Sequence, residues 1–219
     1  MEMNNATSHH SPKGRTTSFE ELAKHITHTS SQYRQKLIAI DGGGGAGKTT
    51  FSTLLAKAMP GSYVVKIDDF YRPKQLRTPL ESTKIINPNF DWDRFRTVIL
   101  DAVRDNKDIA YQVYDHGAGT LSDQIKHVPS DAPIIIEGVW SLQKAFLDYY
   151  DYRIWLEAPA AIRLERGVLR DGEDFREVWE QEWIPIDEHY RETDRPHLKA
   201  EYVINSAASD FLRNKIVLE

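Results

Sequence analysis

A mostly parallel, doubly wound α/β sheet is the fold class that this 219-residue sequence predicts. Short apolar runs with the character of buried strands alternate with amphipathic segments of helical periodicity, and this alternation is typical of βαβ units. The first two strands are predicted at 36–41 and 62–67, with a helix between them. The length suits one domain with a full hydrophobic core, so a single unit is expected over 17–219.

The other elements are predicted from the same signals in chain order. Ser18 and Glu21 have the spacing of a capping box, which predicts a first helix from Phe19 to about Tyr33. Three prolines in 72–89 predict a long loop. The remaining predictions are helices at 93–106, 160–170 and 175–190 and strands at 109–114, 133–137, 153–156 and 202–204.

Composition excludes several classes of function. The formal net charge of −5 argues against a nucleic-acid partner, because phosphate backbones require a basic surface. The chain has no cysteine, so disulfides, thiolate metal sites and a cysteine nucleophile are excluded. No apolar run is long enough to span a membrane, and no secretory signal is visible. A cytoplasmic protein is expected, with residues 1–16 as a disordered polar terminus.

A glycine-rich segment between the first strand and the next helix carries the strongest signal. Residues 42–49, GGGGAGKT, satisfy the G-x-x-x-x-G-K-[ST] pattern of a P-loop, whose backbone amides converge on phosphate oxygens. In this pattern Lys48 contacts the β- and γ-phosphates, and the Thr49 hydroxyl is a Mg²⁺ ligand. The predicted ATP-binding residues are Gly42, Gly43, Gly44, Gly45, Ala46, Gly47, Lys48, Thr49 and Thr50.

Carboxylates follow two other predicted strands at the same edge of the sheet. Asp68 comes directly after the second strand and is the candidate general base, with Asp69 as the alternative. Glu137 ends an apolar strand in the manner of a Walker-B acid, so Thr49, Glu137 and Asp68 are the predicted Mg²⁺ ligands. Either aspartate could instead cap a turn or a helix.

Several separated motifs together resemble the uridine kinase/phosphoribulokinase family. They are the P-loop, Ile67-Asp68-Asp69-Phe70-Tyr71, Asn89-Phe90-Asp91-Trp92-Asp93, Val113-Tyr114-Asp115, Ile136-Glu137-Gly138, the segment 163–171 and Ala200-Glu201-Tyr202-Val203-Ile204. They extend over most of the chain, and their order is far more specific than the P-loop alone. The resemblance implies a three-layer P-loop kinase fold with a helical lid at roughly 160–192.

The resemblance also implies roles for individual residues. Asp68 looks like the general base, and Tyr71, Phe90 and Tyr114 look like the aromatic wall of an acceptor pocket that also includes His116. Asp91 looks like a carboxylate that binds a ribose diol. Simpler alternatives are core packing for Tyr71 and Phe90 and a helix N-cap for Asp91.

Three lid arginines share one predicted helix face, since Arg163, Arg166 and Arg170 are spaced i, i+3, i+7. The resemblance implies that Arg166 and Arg170 neutralise charge on the transferring phosphoryl group. For Arg163 a solvated charged face is the favoured alternative.

The sequence departs from uridine kinases at the predicted base-recognition residues. His116 is adjacent to Asp115 rather than displaced downstream, and Gly167 stands where a second lid arginine is common. The expected function is ATP- and Mg²⁺-dependent phosphorylation of a small hydroxyl-bearing acceptor, a nucleoside such as uridine. Alternatives are a kinase for a sugar phosphate or vitamin precursor and an ATPase switch with no acceptor. A homo-oligomer is left open.

Overall fold

The computed structural model describes residues 15–78 and 87–219. Its centre is a five-stranded, entirely parallel sheet in the order β3-β6-β2-β7-β8. These strands are β2 (Leu37–Asp41), β3 (Tyr63–Lys66), β6 (Ile134–Glu137), β7 (Tyr152–Glu157) and β8 (Tyr202–Asn205). The predicted parallel α/β sheet is confirmed, and β2, which leads into the P-loop, lies at its centre.

Alternating side chains of β2 explain the layers on the two faces of the sheet. Leu37 and Ala39 belong to one hydrophobic cluster, whereas Ile38 and Ile40 belong to the other. Successive strand residues point to opposite faces, so a strand buried on both sides is apolar at every position. This produces the predicted three-layer arrangement.

Helices cover both faces of the sheet. They are α1 (Phe19–His28), α2 (Lys48–Ala58), α3 (Trp92–Phe95), α4 (Asp101–Arg104), α5 (Ala160–Asp171), α6 (Arg176–Val178) and α7 (Ile184–Thr193). Arg96–Leu100 joins α3 to α4, and Trp179–Trp183 joins α6 to α7, each as one π-helical turn. The Ser18–Glu21 capping box is present, but α1 ends at His28 rather than near Tyr33.

Two strand pairs of the described residues lie outside the central sheet. The strands β4 (Ile109–Asp115) and β5 (Thr120–Val128) form an antiparallel hairpin, of which the sequence predicted only the first strand. The short strands β1 (Thr16–Thr17) and β9 (Ile216–Val217) also pair antiparallel. The predicted N-terminal disordered segment lies mostly outside the described residues, although Thr16, at its end, pairs with Val217.

No helix within residues 15–78 and 87–219 combines the length and apolar character needed to cross a bilayer. Part of the predicted 72–89 loop, residues 79–86, lies outside the described residues. Before that gap, Lys74–Leu76 form one 3₁₀ turn.

Candidate active site

The P-loop connects the central strand directly to the start of α2. Gly47, with φ of 91°, precedes the first residue of that helix, Lys48. Gly45 has φ of 77°, and a Cβ atom there would lie 2.3 Å from the carbonyl oxygen of Arg163 in α5. Both the left-handed backbone and the close approach of α5 therefore require glycine at this position. The loop backbone is packed against the predicted lid.

Lys48 is buried and its ammonium group lies inside the loop. Its Nζ donates to the carbonyl oxygens of Gly42 at 2.7 Å and Gly43 at 3.0 Å. Its positive charge also acts on Glu137 and Asp187, lowering carboxyl pKa values that burial raises. The ammonium group thus lies against two carbonyl oxygens of the loop, and its charge reaches two buried carboxylates.

The predicted magnesium ligands lie together where β6 ends beside α2. The Thr49 hydroxyl donates to Glu137 Oε1 at 3.0 Å. Burial raises the pKa of Glu137, and the negative charge of Asp68 raises it further, so Asp68 lies within electrostatic reach of this pair. A hydroxyl and two carboxylates are hard oxygen donors that suit Mg²⁺, which also takes phosphate and water ligands.

Asp68 and Asp69 have different environments because they lie in a 3₁₀ turn, Ile67–Phe70, rather than on an extended strand. Such a turn separates neighbouring side chains by about 120°. Asp69 is buried and accepts hydrogen bonds from Tyr111 at 3.1 Å and from Lys126 at 2.8 Å. It therefore attaches the β4–β5 hairpin to the sheet. Asp68 is exposed, and its charge acts on Glu137.

Asp41, at the end of β2, connects three parts of the site that are distant in sequence. One carboxylate oxygen accepts from Gly42 N at 2.7 Å, and the other accepts from Leu142 N and from the Tyr190 hydroxyl, both at 2.8 Å. Tyr190 belongs to α7, so Asp41 ties this helix to the P-loop strand. Burial raises the pKa of Asp41 to about 6, against the lowering effect of these hydrogen bonds.

The pKa of Asp41 predicts a pH dependence of stability. Because its folded-state pKa lies above its unfolded value of 3.8, the group favours folding below pH 4 and loses that contribution as the pH rises through 6. The loss amounts to about 1–2 kcal/mol between pH 5 and pH 7. The free energy of unfolding, measured with urea at several pH values, should change less steeply with pH in Asp41→Asn than in the wild type. Equal slopes in the two proteins would contradict the prediction.

The three lid arginines do not share one environment, although all lie on α5. Arg163 is buried and pairs with Asp187 at 3.2 Å and with Glu188, so the solvated face expected for it is wrong. Arg166 donates to the carbonyl oxygen of Ser206 at 3.1 Å and lies 3.5 Å from that of Gly45.

Arg170 is the exposed member of the three arginines. It forms an ion pair with Asp171 at 2.7 Å. The hydrogen bond to Asp171 raises the pKa of Arg170, and the charge of Asp68 adds to this effect. Arg170 is therefore the lid arginine whose guanidinium lies within electrostatic reach of the candidate base.

Two residues of the predicted lid that no sequence signal indicated, Asp187 and Trp179, also contact the loop. Asp187 Oδ2 accepts from Gly44 N at 2.6 Å. A Cβ atom at Gly44 would lie 2.9 Å from the Trp179 ring. Nothing in the sequence marks these residues, because they follow the P-loop by more than a hundred positions and match no motif.

Gly167 provides the space for Trp179, which explains why no arginine stands there. A Cβ atom at Gly167 would lie 2.3 Å from the indole ring. Alanine normally favours a helix by about 1 kcal/mol over glycine. Here we expect Gly167→Ala to destabilise the protein instead, because the ring must move. Thermal unfolding and tryptophan fluorescence would measure this, with the exposed Glu165→Ala as control; a stabilised Gly167→Ala would contradict it.

The predicted acceptor-pocket aromatics form one cluster beside Asp68. The Tyr71 ring centroid lies 4.0 Å from that of Phe90, 5.7 Å from that of Tyr114 and 5.6 Å from that of His116. Phe90 and Tyr114 are buried, whereas His116 is exposed in the hairpin turn. Phe90 also packs in the core, as its simpler alternative proposed.

Asp91 is the N-cap of α3, where its side chain accepts from Arg94 N at 3.1 Å. The capping alternative is therefore present in the structure. The carboxylate is also half-buried rather than enclosed, with 34% of its side chain exposed. A second role in binding a diol remains a prediction.

Sequence comparison identifies the family to which this arrangement belongs. Residues 37–191 match the profile of the phosphoribulokinase/uridine kinase family. The chain is 29% identical over 199 residues to a uridine kinase of Limosilactobacillus reuteri, an alignment that covers 84% of this chain and 91% of that protein.

Solved structures show the same fold at low sequence identity. A D-glycerate 3-kinase from Cryptococcus neoformans superposes with a TM-score of 0.60 at 13% identity, covering 92% of this chain and 96% of that one. Phosphoribulokinase from Rhodobacter sphaeroides superposes with a TM-score of 0.56 at 12% identity, covering 78% and 70%. The chain belongs to the phosphoribulokinase/uridine kinase family of P-loop kinases, phosphotransferases that act on hydroxyl groups.

Proposed function

We propose that the protein transfers the γ-phosphoryl group of ATP to a hydroxyl of a small metabolite, with Asp68 as the general base. In this reaction the acceptor oxygen forms a bond to the γ-phosphorus, the bond from that phosphorus to the bridging oxygen breaks, and ADP leaves. The hydroxyl proton moves to the Asp68 carboxylate. The observation that supports this assignment is the position of Asp68, exposed beside Glu137 and the P-loop while Asp69 is used in packing.

The remaining residues supply binding and charge stabilisation. Loop amides, Lys48 and the N-terminus of α2 would hold the triphosphate, since a helix start and converging N–H groups favour anions. Thr49, Glu137 and Asp68 would hold Mg²⁺, whose charge neutralises the phosphates. Arg166 and Arg170 lie on the lid side, where positive charge would favour the transferring group. The packed lid would exclude water and limit hydrolysis.

A nucleoside such as uridine is the first acceptor class that we propose. The relative named uridine kinase supports it, and so does the aromatic cluster beside Asp91. A non-nucleoside acceptor is the second candidate, since proteins of the same fold are named for glycerate and phosphoribulose chemistry. One observation favours the second class: a guanidinium, that of Arg77, lies 4.5 Å from the Tyr71 ring centroid.

Acceptor-dependent release of ADP tests the proposed function. The protein would be incubated with ATP and Mg²⁺ and a panel of nucleosides, sugars, sugar phosphates and hydroxy acids. We expect ADP to accumulate with one acceptor class well above the rate without acceptor. Equal ADP release with every acceptor and with none would favour an ATPase or a nucleotide switch over a kinase.

A further inference from the structure

Arg77 lies against the aromatic cluster that is predicted to line the acceptor pocket, although neither the P-loop motif nor the family motifs include it. Its guanidinium carbon is 4.5 Å from the Tyr71 ring centroid and 4.8 Å from the Tyr114 ring centroid. Its Nε donates to the carbonyl oxygen of Arg72 at 2.8 Å, which fixes the plane of the group. Two aromatic contacts and one hydrogen bond hold the guanidinium in place.

Two buried polar atoms in this cluster have no hydrogen-bond partner among the residues that the structure describes. Within the described residues, neither Arg77 Nη2 nor the Tyr114 hydroxyl has a partner. Tyr114 is only 3% exposed. An unsatisfied buried donor costs about 1–3 kcal/mol, so such atoms in a native protein call for an explanation. A ligand that accepts from both atoms would satisfy them.

Tyr71 relates this pair of donors to the candidate base. Burial raises the pKa of the Tyr71 hydroxyl; the charge of Asp68 raises it further, and the charge of Arg77 lowers it. Tyr114 acts on the same hydroxyl. Tyr71 directly follows the 3₁₀ turn that carries Asp68, and its ring contacts the Arg77 guanidinium, so the inference places a small molecule bound by Arg77 with a hydroxyl towards Asp68.

The packing around Tyr71 disfavours a flat nucleobase against that ring. Phe90 lies 4.0 Å from the Tyr71 centroid, tilted by 33°, and the Arg77 guanidinium carbon lies 4.5 Å from it. Two groups so close to one centroid cannot share a face, so both faces of the ring are covered. A base could stack there only by displacing Arg77.

We propose that Arg77 and the Tyr114 hydroxyl bind an anionic group of the acceptor, a carboxylate or a phosphate. A guanidinium presents parallel N–H donors that match two oxygens of either group. The acceptor class is thus a small hydroxy acid or a phosphorylated polyol, with the anion at Arg77 and the reacting hydroxyl at Asp68. This inference rests on the proposed kinase function.

Paired acceptors test the inference through turnover. D-Glycerate and ribose 5-phosphate would be compared with their neutral counterparts glycerol and ribose, and with uridine, in the ADP-release assay. We expect kcat/KM for one anionic acceptor to exceed that for its neutral counterpart by about 10²-fold or more. The preferred anion distinguishes carboxylate from phosphate. A preference for uridine over all the anions would overturn the proposal.

Substitutions then assign the preference to named residues. Arg77→Met should remove most of the preference for the anionic acceptor over its neutral counterpart, mainly by raising KM for the anion. Tyr114→Phe should reduce the same preference by about 10-fold. Arg96→Met, which replaces an exposed arginine outside the site, is the matched control and should leave it unchanged. Unaltered discrimination in both pocket variants would overturn the proposal.

A binding measurement separates failure of this inference from failure of the proposed function. Protein saturated with a non-hydrolysable ATP analogue and Mg²⁺ would be titrated with inorganic phosphate and with D-glycerate, so that the P-loop is already filled. We expect one of these anions to bind at least about 10-fold more weakly to Arg77→Met than to the wild type. Equal affinities, or no binding of either anion to the wild type, would overturn the anion site even if no acceptor is turned over.

Discussion

Replacement of Lys48 by alanine is expected to lower phosphoryl transfer by at least about 10³-fold. Lys48 is the buried cation of the P-loop, and its ammonium lies against the carbonyl oxygens of Gly42 and Gly43. In the proposed reaction it would offset negative charge that develops on the transferring group, in a site from which the proposed lid would exclude water. Such an interaction is stronger there than at an exposed surface.

Steady-state ADP release and ATP binding, measured on the same preparations, would test the Lys48 prediction. Lys57→Ala is the matched control, because Lys57 lies on the same helix but is exposed. It should retain wild-type activity. Circular dichroism of Lys48→Ala would establish that the variant folds. Activity within 10-fold of wild type in a folded Lys48→Ala would remove the basis for the phosphate-binding assignment.

Asp68→Asn is expected to reduce kcat by about 10²-fold or more while ATP affinity stays near the wild-type value. The amide keeps the shape of the side chain but cannot take the proton from the acceptor hydroxyl. Because the carboxylate is exposed and carries no packing interaction comparable to that of Asp69, we expect little change in folding stability.

Asp69→Asn provides the contrasting variant. It should weaken the hydrogen bonds to Tyr111 and Lys126, and so lower the free energy of unfolding more than Asp68→Asn does, with a smaller effect on kcat. Asp93→Asn, at an exposed position of α3, should change neither quantity. If Asp69→Asn instead has the larger effect on kcat, the assignment of Asp68 as the base is wrong.

The sequence predicted the elements whose residues are buried on two faces. Strands β2 and β6 contain only apolar residues before their final acid, and the structure places them at the centre of the sheet. Strand β5 was missed because most of its residues are exposed, so it has no apolar pattern to identify it. Its pairing with β4 forms the hairpin, and the contact of Lys126 with the buried Asp69 attaches the hairpin to the sheet.

The sequence also named most residues of the candidate site, but it could not assign the environment of every one. Helical spacing placed Arg163 with Arg166 and Arg170 on one face, yet only the packed structure shows that Arg163 is buried against Asp187. Arg77 carries no motif, and its position over Tyr71 depends on how the chain folds back after Asp68. A side chain's neighbours in space are not encoded in its local pattern.

By itself, the sequence determined the phosphate-binding loop, the parallel sheet and the strand-end carboxylates, because these depend on local backbone geometry and on periodic burial. Only the tertiary structure decided which aspartate is available, which arginines are buried and what lies against the aromatic cluster. The physical reason is that burial and charge at a site are summed over residues far apart in the chain. Asp41 illustrates this: its hydrogen bonds to Leu142 and Tyr190 join positions separated by 101 and 149 residues.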